Sequence, residues 1–331
     1  MKHSAGAKTA RTRHLLGTTA LIGVAALAVA SNPRPAAACS INNVGVTVNA
    51  VTNSAAIDCI NIQNATVNGN VTNTSTGSIV TTVPTPATTP QIGIVIDNST
   101  INGAIINNGS IQAPQLFSNA PFTFAPGVGI GIDVLANATV TGGISNSGNI
   151  FVNNDNANGT SGGILIQAPA SFAGGITNSG SILSLNPGGS ANAGIGIGVL
   201  GVSSFTGGIT SSGNIGTEGN SIFVNNVTTF AGGIANSGSV EGLQNSIFVQ
   251  NVTNFTGGIT NSGSLVTGGI HLNTVASFAG GITNSGSISN VVTGILVENV
   301  SNFAGGITNT GSLTPTSNIT LCSRRSGHRD Q

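Results

Sequence analysis

Apolar and polar positions alternate in short runs along most of this chain, and the runs repeat. The eleven residues FAGGITNSGSI occupy 172 to 182 and return letter for letter at 278 to 288. The fuller unit stands whole in GILVENVSNFAGGITNTGSL at 294 to 313 and, closely matched, in SIFVQNVTNFTGGITNSGSL at 246 to 265. Apolar residues recur at every second position, and Gly and Asn break the runs. That is the pattern of short strands joined by turns. No segment after residue 40 shows a 3.6-residue period.

Aligned on their paired glycines, the units begin at Gly142, Gly174, Gly207, Gly232, Gly257, Gly280 and Gly305, the last four intervals being 25, 25, 23 and 25 residues. Looser copies start at Gly69 and Gly103. About nine such units are the signature of a solenoid. One unit has room for three short strands and three turns but cannot bury its apolar side alone. Stacked units can, each pairing with the next at roughly 4.8 Å. The expected fold is therefore all-β, a parallel β-helix, and a rod on the order of 40 Å long.

Each fixed position then becomes a column along the rod. Phe172, Phe205, Phe230, Phe255, Phe278 and Phe303 form one, continued by Val140 and Ile101. Ile144, Ile176, Ile209, Ile234, Ile259, Ile282 and Ile307 form a second. Asn146, Asn178, Asn236, Asn261, Asn284 and Asn309 form a third, which Ser211 interrupts. Two residues beyond the Ile, these amides should face inward and hydrogen-bond from coil to coil, as in stacked Asn ladders. The glycine two places later, such as Gly263 or Gly286, is expected to supply a turn with positive φ. Pro-rich insertions at 81–91 and 112–127 are the places where a binding face would develop.

Composition sharpens this picture. Only 5% of the 331 residues are charged, and 49 are Gly. No Lys or Arg stands between residues 35 and 323, whereas that body holds Asp58, Asp97, Asp133, Asp155, Glu218, Glu241 and Glu298, seven acids and no base. Nucleic-acid binding, which needs cationic groups to neutralise phosphates, is excluded. Anionic membrane surfaces are poor partners for the same reason.

The N-terminus reads as an export signal. Lys2, Lys8, Arg11 and Arg13 precede an apolar stretch from Leu15 to Ala30, too short for a stable span. Cleavage is placed after Ala38, with Ala30 as the alternative. The expected organisation is a signal peptide at 1–38, an N-terminal capping segment at 39–66, a β-helix at 67–318 and an aberrant basic tail at 319–331. No membrane span is expected in the mature chain. Cys39 and Cys59 either pair in an oxidising compartment or remain free thiols.

Candidate chemistry is sparse. Glu218 and Glu241 are close enough in coil phase to sit near each other, the arrangement a polysaccharide hydrolase would need. The acids read more simply as solvated loop residues. His271 should point outward as a lone surface histidine, with no partner for a triad. No metal-ligand cluster or cofactor motif stands in the chain, so neither is expected. Gly196, Gly198 and Gly201 spell G-x-G-x-x-G, but another coil follows where a dinucleotide site requires a helix. N-x-S/T triplets such as Asn137-Ala138-Thr139 read as by-products of Asn- and Thr-rich coils.

The signal peptide followed by FxGGIxNSGxI coils resembles the passenger region of Gram-negative type V autotransporters, over about residues 41 to 318. The resemblance implies a right-handed β-helix, presented at the cell surface or extracellularly where a β-barrel translocator is supplied and otherwise periplasmic. It implies non-enzymatic adhesion or aggregation, with a host or neighbouring-cell surface, or the chain itself, as partner. The family's C-terminal barrel is not expected in this chain, and the Arg-bearing tail LCSRRSGHRDQ at 321 to 331 reads as a truncated or frameshifted passenger, with a natural cationic C-cap as the alternative. Two rival functions are an ice- or surface-binding solenoid using a T-x-S face, and a polysaccharide-active β-helix enzyme.

Overall fold

The computed structural model describes residues 39–81, 91–113, 129–153, 161–168, 171–185, 194–315 and 322–324. The leader and the basic tail, apart from the backbone of 322–324, lie outside the described residues, as do most of the two Pro-rich insertions.

The strands stack in four sheets of 13, 4, 10 and 10 strands, numbered one to four in that order, and each described pairing is parallel. The chain visits the sheets in turn and rises one strand per circuit, which makes a parallel β-helix. The ten strands of the third sheet, from Val51–Asn53 to Ile307–Asn309, count ten coils rather than nine. The additional coil is the first, formed by Ile41–Val44, Thr47–Val48, Val51–Asn53 and Ala56–Ile57. Residues 39–66, expected as a cap, thus contribute a whole coil and the first strands of the next. Cys322–Arg324 adds one further strand against Ile295–Phe303.

The coils change their cross-section along the rod. Coils one to six have four strands each. From the seventh coil the first two strands fuse into one long strand, Asn220–Phe230, then Asn245–Phe255, Ile270–Phe278 and Ile295–Phe303. The three-strand unit read from the repeats is therefore the geometry of the last four coils, where the interval settles near 25 residues.

The columns form the core. Phe172, Phe205, Phe230, Phe255 and Phe278 are fully buried. Each ring meets the next at 4.7 to 5.3 Å between centroids, the last contact being Phe278 to Phe303. That spacing is the rise of one coil, so the backbone ladder sets the ring stack. Burying each ring contributes roughly 1.5–3 kcal/mol. Val140 pairs with Ile101 in the four-stranded sheet, upstream in the same column. Ile176, Ile209, Ile234, Ile259 and Ile282 are buried beside them, while Ile307 of the tenth coil is 37% exposed.

The Asn column faces inward and is hydrogen-bonded from coil to coil in two runs. Asn53, Asn73, Asn107 and Asn146 donate in sequence from Nδ2 to the next Oδ1, ending on Asn178, at 2.7 to 2.9 Å. Asn178 donates to Ser211 Oγ. The ladder resumes through Asn236, Asn261, Asn284 and Asn309 at 2.6 to 2.8 Å. Asn53, Asn73 and Asn107 extend it by three coils beyond the expected members. Asn309, in the last coil, is exposed.

The glycines of the N-S-G turn act otherwise than expected. Gly263 and Gly286 are not among the positive-φ residues. A Cβ on Gly286 would stand 2.0 Å from Gly263 O, and one on Gly263 would stand 2.2 Å from Gly238 O. These glycines are required because successive backbones approach too closely for a side chain. The left-handed turns lie elsewhere, at the second glycine of the Gly-Gly pair in Gly143, Gly208, Gly233, Gly281 and Gly306, and at the corner just before the Phe column. There Asn64, Asn98, Asn137, Ala168, Gly201, Asn226, Asn251, Thr274 and Asn299 take φ between 45° and 68°. Asn is the non-glycine residue that enters this region most readily, which explains the Asn of the repeated N-V-x-x-F.

Candidate functional site

The rod turns three kinds of surface outward. The most regular is the third sheet. Its strands are three residues long, with Ile and Asn inward and the residue between them outward. The outward row reads Thr177, Thr210, Ala235, Thr260, Thr283 and Thr308 in unbroken register. Each of these is exposed, as are Ser179, Ser212, Ser237, Ser262, Ser285 and Thr310 beside them. Two parallel rows of short hydroxyl side chains thus run along one face at the coil spacing of about 4.8 Å. Ala235 is the position where the row lacks its hydroxyl.

The second surface lies on the outer side of the first sheet. Ile94, Ile132, Ile164, Ile197, Ile222 and Ile247 belong to the main core, and the residues that follow them point the opposite way. Of these, Leu165, Phe223 and the half-buried Val95 and Phe248 join Ile92, Ile130 and Ile195 in a separate apolar cluster. Asp133 pairs with Val95 and Leu165 in this row. It is fully buried, not a solvated loop residue, because its row neighbours are apolar and covered. Gln167 Nε2 donates to its Oδ1 at 2.7 Å.

The same row carries His271. Phe223 stacks on Phe248 at 5.3 Å, and Phe248 stacks on the His271 ring at 4.7 Å. His271 Nε2 meets Glu298 Oε1 at 2.9 Å, with the two side chains 18% and 30% exposed. The histidine is outward as expected but is not alone. It has an aromatic on one ring face and an acid on the next coil. The signal was in the numbering, since 27 residues separate the pair, one 25-residue coil plus a two-residue step along the strand. Beside it opens a cleft of about 220 Å³ walled by Leu243, Val292 and Leu296 over Gly268 and Gly269. Thr267, with φ of 68°, also lines it.

Glu218 and Glu241 fall on neighbouring coils, as their phase suggested. Glu241 pairs in register with Gly216, two residues before Glu218. Glu241 is exposed and Glu218 half-buried. Ser221 Oγ donates to the backbone carbonyl of Glu241, not to its carboxylate. Gly196 and Gly198 sit within the strand Ile195–Leu200, and Gly201 forms the following corner. Among the described residues no three His, Cys, Asp or Glu side chains gather as a metal site, and no helix is long and apolar enough to cross a membrane.

The third surface is the N-terminal end. A disulfide joins Cys39 to Cys59. Asp58 lies beside it and accepts at Oδ1 from the Ser40 N–H, the Ser40 hydroxyl and the Cys59 N–H. Burial works to raise the Asp58 carboxyl, but these hydrogen bonds outweigh it and hold the group below the usual carboxylate range.

No family model, curated protein or solved structure matches this chain.

Proposed function

We propose that this chain is a non-enzymatic exported surface protein, similar to an autotransporter passenger, whose β-helix serves adhesion or aggregation. The observation that carries this reading is the third-sheet face. It repeats one outward motif in strict register from the fifth coil to the tenth, exposed over that length. A surface built this way suits many weak contacts made together, whose combined strength far exceeds any one of them. The partner is a host or neighbouring-cell surface, or the same face of another copy.

The test is display of the chain on cells that do not otherwise aggregate. Clumping or attachment should appear with the native chain. Thr210→Val alone should change it little, and the combined Thr177→Val, Thr210→Val, Thr260→Val and Thr283→Val should abolish it. Display that alters neither clumping nor attachment removes the adhesive reading.

A second reading is favoured by the same register. Paired rows of Thr and Ser at a fixed spacing on a flat sheet could order a crystalline surface, ice among them. Purified chain that produces no thermal hysteresis and no change in ice-crystal shape would eliminate it.

A further inference from the structure

The left-handed corner carries a feature that neither packing nor the adhesive reading uses. Six of its residues open N-x-S/T triplets: Asn64-Ala65-Thr66, Asn98-Ser99-Thr100, Asn137-Ala138-Thr139, Asn226-Val227-Thr228, Asn251-Val252-Thr253 and Asn299-Val300-Ser301. At each, the middle residue turns inward while the Asn and the hydroxyl residue face outward on a convex edge. Such triplets are acceptors for N-linked glycans on surface loops. They occur elsewhere in the chain, but the corner groups them in one line.

The six are not equivalent at the reacting atom, which is Nδ2. In Asn98 it donates to Asn64 Oδ1 at 2.6 Å, in Asn251 to Asn225 Oδ1 at 3.2 Å, and in Asn299 to Asn273 Oδ1 at 3.1 Å. Asn64 only accepts, through Oδ1. The side chains of Asn137 and Asn226 make no hydrogen bond among the described residues. Asn64, Asn137 and Asn226 are all exposed, and no hydrogen bond among the described residues engages their amide nitrogens. These three stand on the second, fourth and seventh coils. At the coil spacing they are about 10 and 14 Å apart, enough for a sugar on each, whereas acceptors on adjacent coils would crowd.

We propose that Asn64, Asn137 and Asn226 are glycosylation sites, each accepting a sugar from a pyrophosphate-activated donor through a separate transferase. In the step, the Nδ2–C1 bond forms and the bond from C1 to the phosphate oxygen breaks. The pyrophosphate-bearing group departs with the electron pair, and the amide loses one proton. The donor is a nucleotide sugar or a lipid-linked oligosaccharide.

The chain contains its own controls. Asn73-Thr74-Ser75 is a triplet whose Asn is fully buried in the amide ladder. Asn254-Phe255-Thr256 is exposed at its Asn but stands three residues past the corner Asn251 and is not among the positive-φ residues.

The test is the full chain purified from the cells that naturally make it, measured by intact mass and then mapped. Chymotrypsin replaces trypsin for mapping, because no Lys or Arg stands between residues 35 and 323. The expected result is sugar-sized additions at Asn64, Asn137 and Asn226, above the occupancy of Asn254, with Asn73 bare. Thr66→Ala, Thr139→Ala and Thr228→Ala should each lose the addition two residues upstream while keeping the corner Asn. A single-hexose increment identifies the nucleotide-sugar donor, and a longer glycan identifies the lipid-linked one. An unmodified mass, modification of Asn254 without the corner sites, sugar on Asn73, or additions that survive the Thr substitutions would each overturn the proposal.

Discussion

Asn178 Nδ2 reaches Ser211 Oγ at 3.3 Å, the longest step in a column whose amide-to-amide steps run from 2.6 to 2.9 Å. Ser211 occupies the same inward position and the same I-T-x-S-G turn as its Asn neighbours, so an amide fits there. Ser211→Asn is expected to join the two halves of the ladder and stabilise the chain by about 1 kcal/mol. Asn261→Ala should do the opposite. It removes the bonds to Asn236 and Asn284 and leaves their buried groups short of partners, for about 2–4 kcal/mol lost. Urea denaturation of the two variants checks both signs, and a destabilised Ser211→Asn would show that the column does not work as a ladder.

The aromatic column makes a graded prediction. Phe230 lies between Phe205 and Phe255 and is fully buried. Phe230→Ala should cost about 3–5 kcal/mol through lost burial and the cavity left behind. Phe303 has a ring partner on one side only and is half-buried in the tenth coil. Phe303→Ala should cost clearly less, and fray the terminal coil rather than unfold the rod, since each repeat is held mainly by its neighbours. Equal losses from the two substitutions, read from denaturation midpoints, would contradict this.

The columns that could be read from the letters are those where one residue type recurs at one phase. Phe, Ile and Asn each do one job per coil, so repetition in sequence is repetition in space. The left-handed corner escaped because its tenants differ. Asn, Ala, Gly and Thr share a backbone conformation there, not a side-chain role, so no single letter marks the turn. Gly286 repeats so strictly for another reason, the close approach of Gly263 O. Asp133 and the His271–Glu298 pair were missed because outward residues vary from coil to coil. Their contacts appear only once the register is fixed, in Asp133 opposite Leu165 and His271 opposite Leu296.

Thr274 is the β-branched member of the corner, at φ of 57°. Left-handed backbone costs an ordinary L-residue about 1–2 kcal/mol, which Asn largely escapes. Thr274→Asn should therefore stabilise the chain by about 1 kcal/mol. It gives up the contact of Thr274 Oγ1 with Asn273 Oδ1 at 2.9 Å, but Asn299 Nδ2 still donates to that oxygen. A rise in the denaturation midpoint is the expected outcome. A fall would mean that the hydroxyl contact outweighs the backbone strain.

The N-terminal coil should respond to acid through Asp58. Its carboxyl is held below the ordinary value by Ser40 and Cys59, against the opposing effect of burial. A group lowered in the folded state stabilises fully above its unfolded value, near 3.9. That contribution is lost as the pH falls through the lower folded value. Amide exchange around Ser40 and Cys59, followed with the disulfide intact, should therefore be slow at pH 5 and accelerate as the solution is acidified below about pH 4, beyond the intrinsic pH dependence of exchange. Asp58→Asn should flatten that response, because an amide oxygen can still accept the N–H bonds but carries no charge to lose. An acid response of the same size in the variant would place the sensitivity elsewhere in the coil.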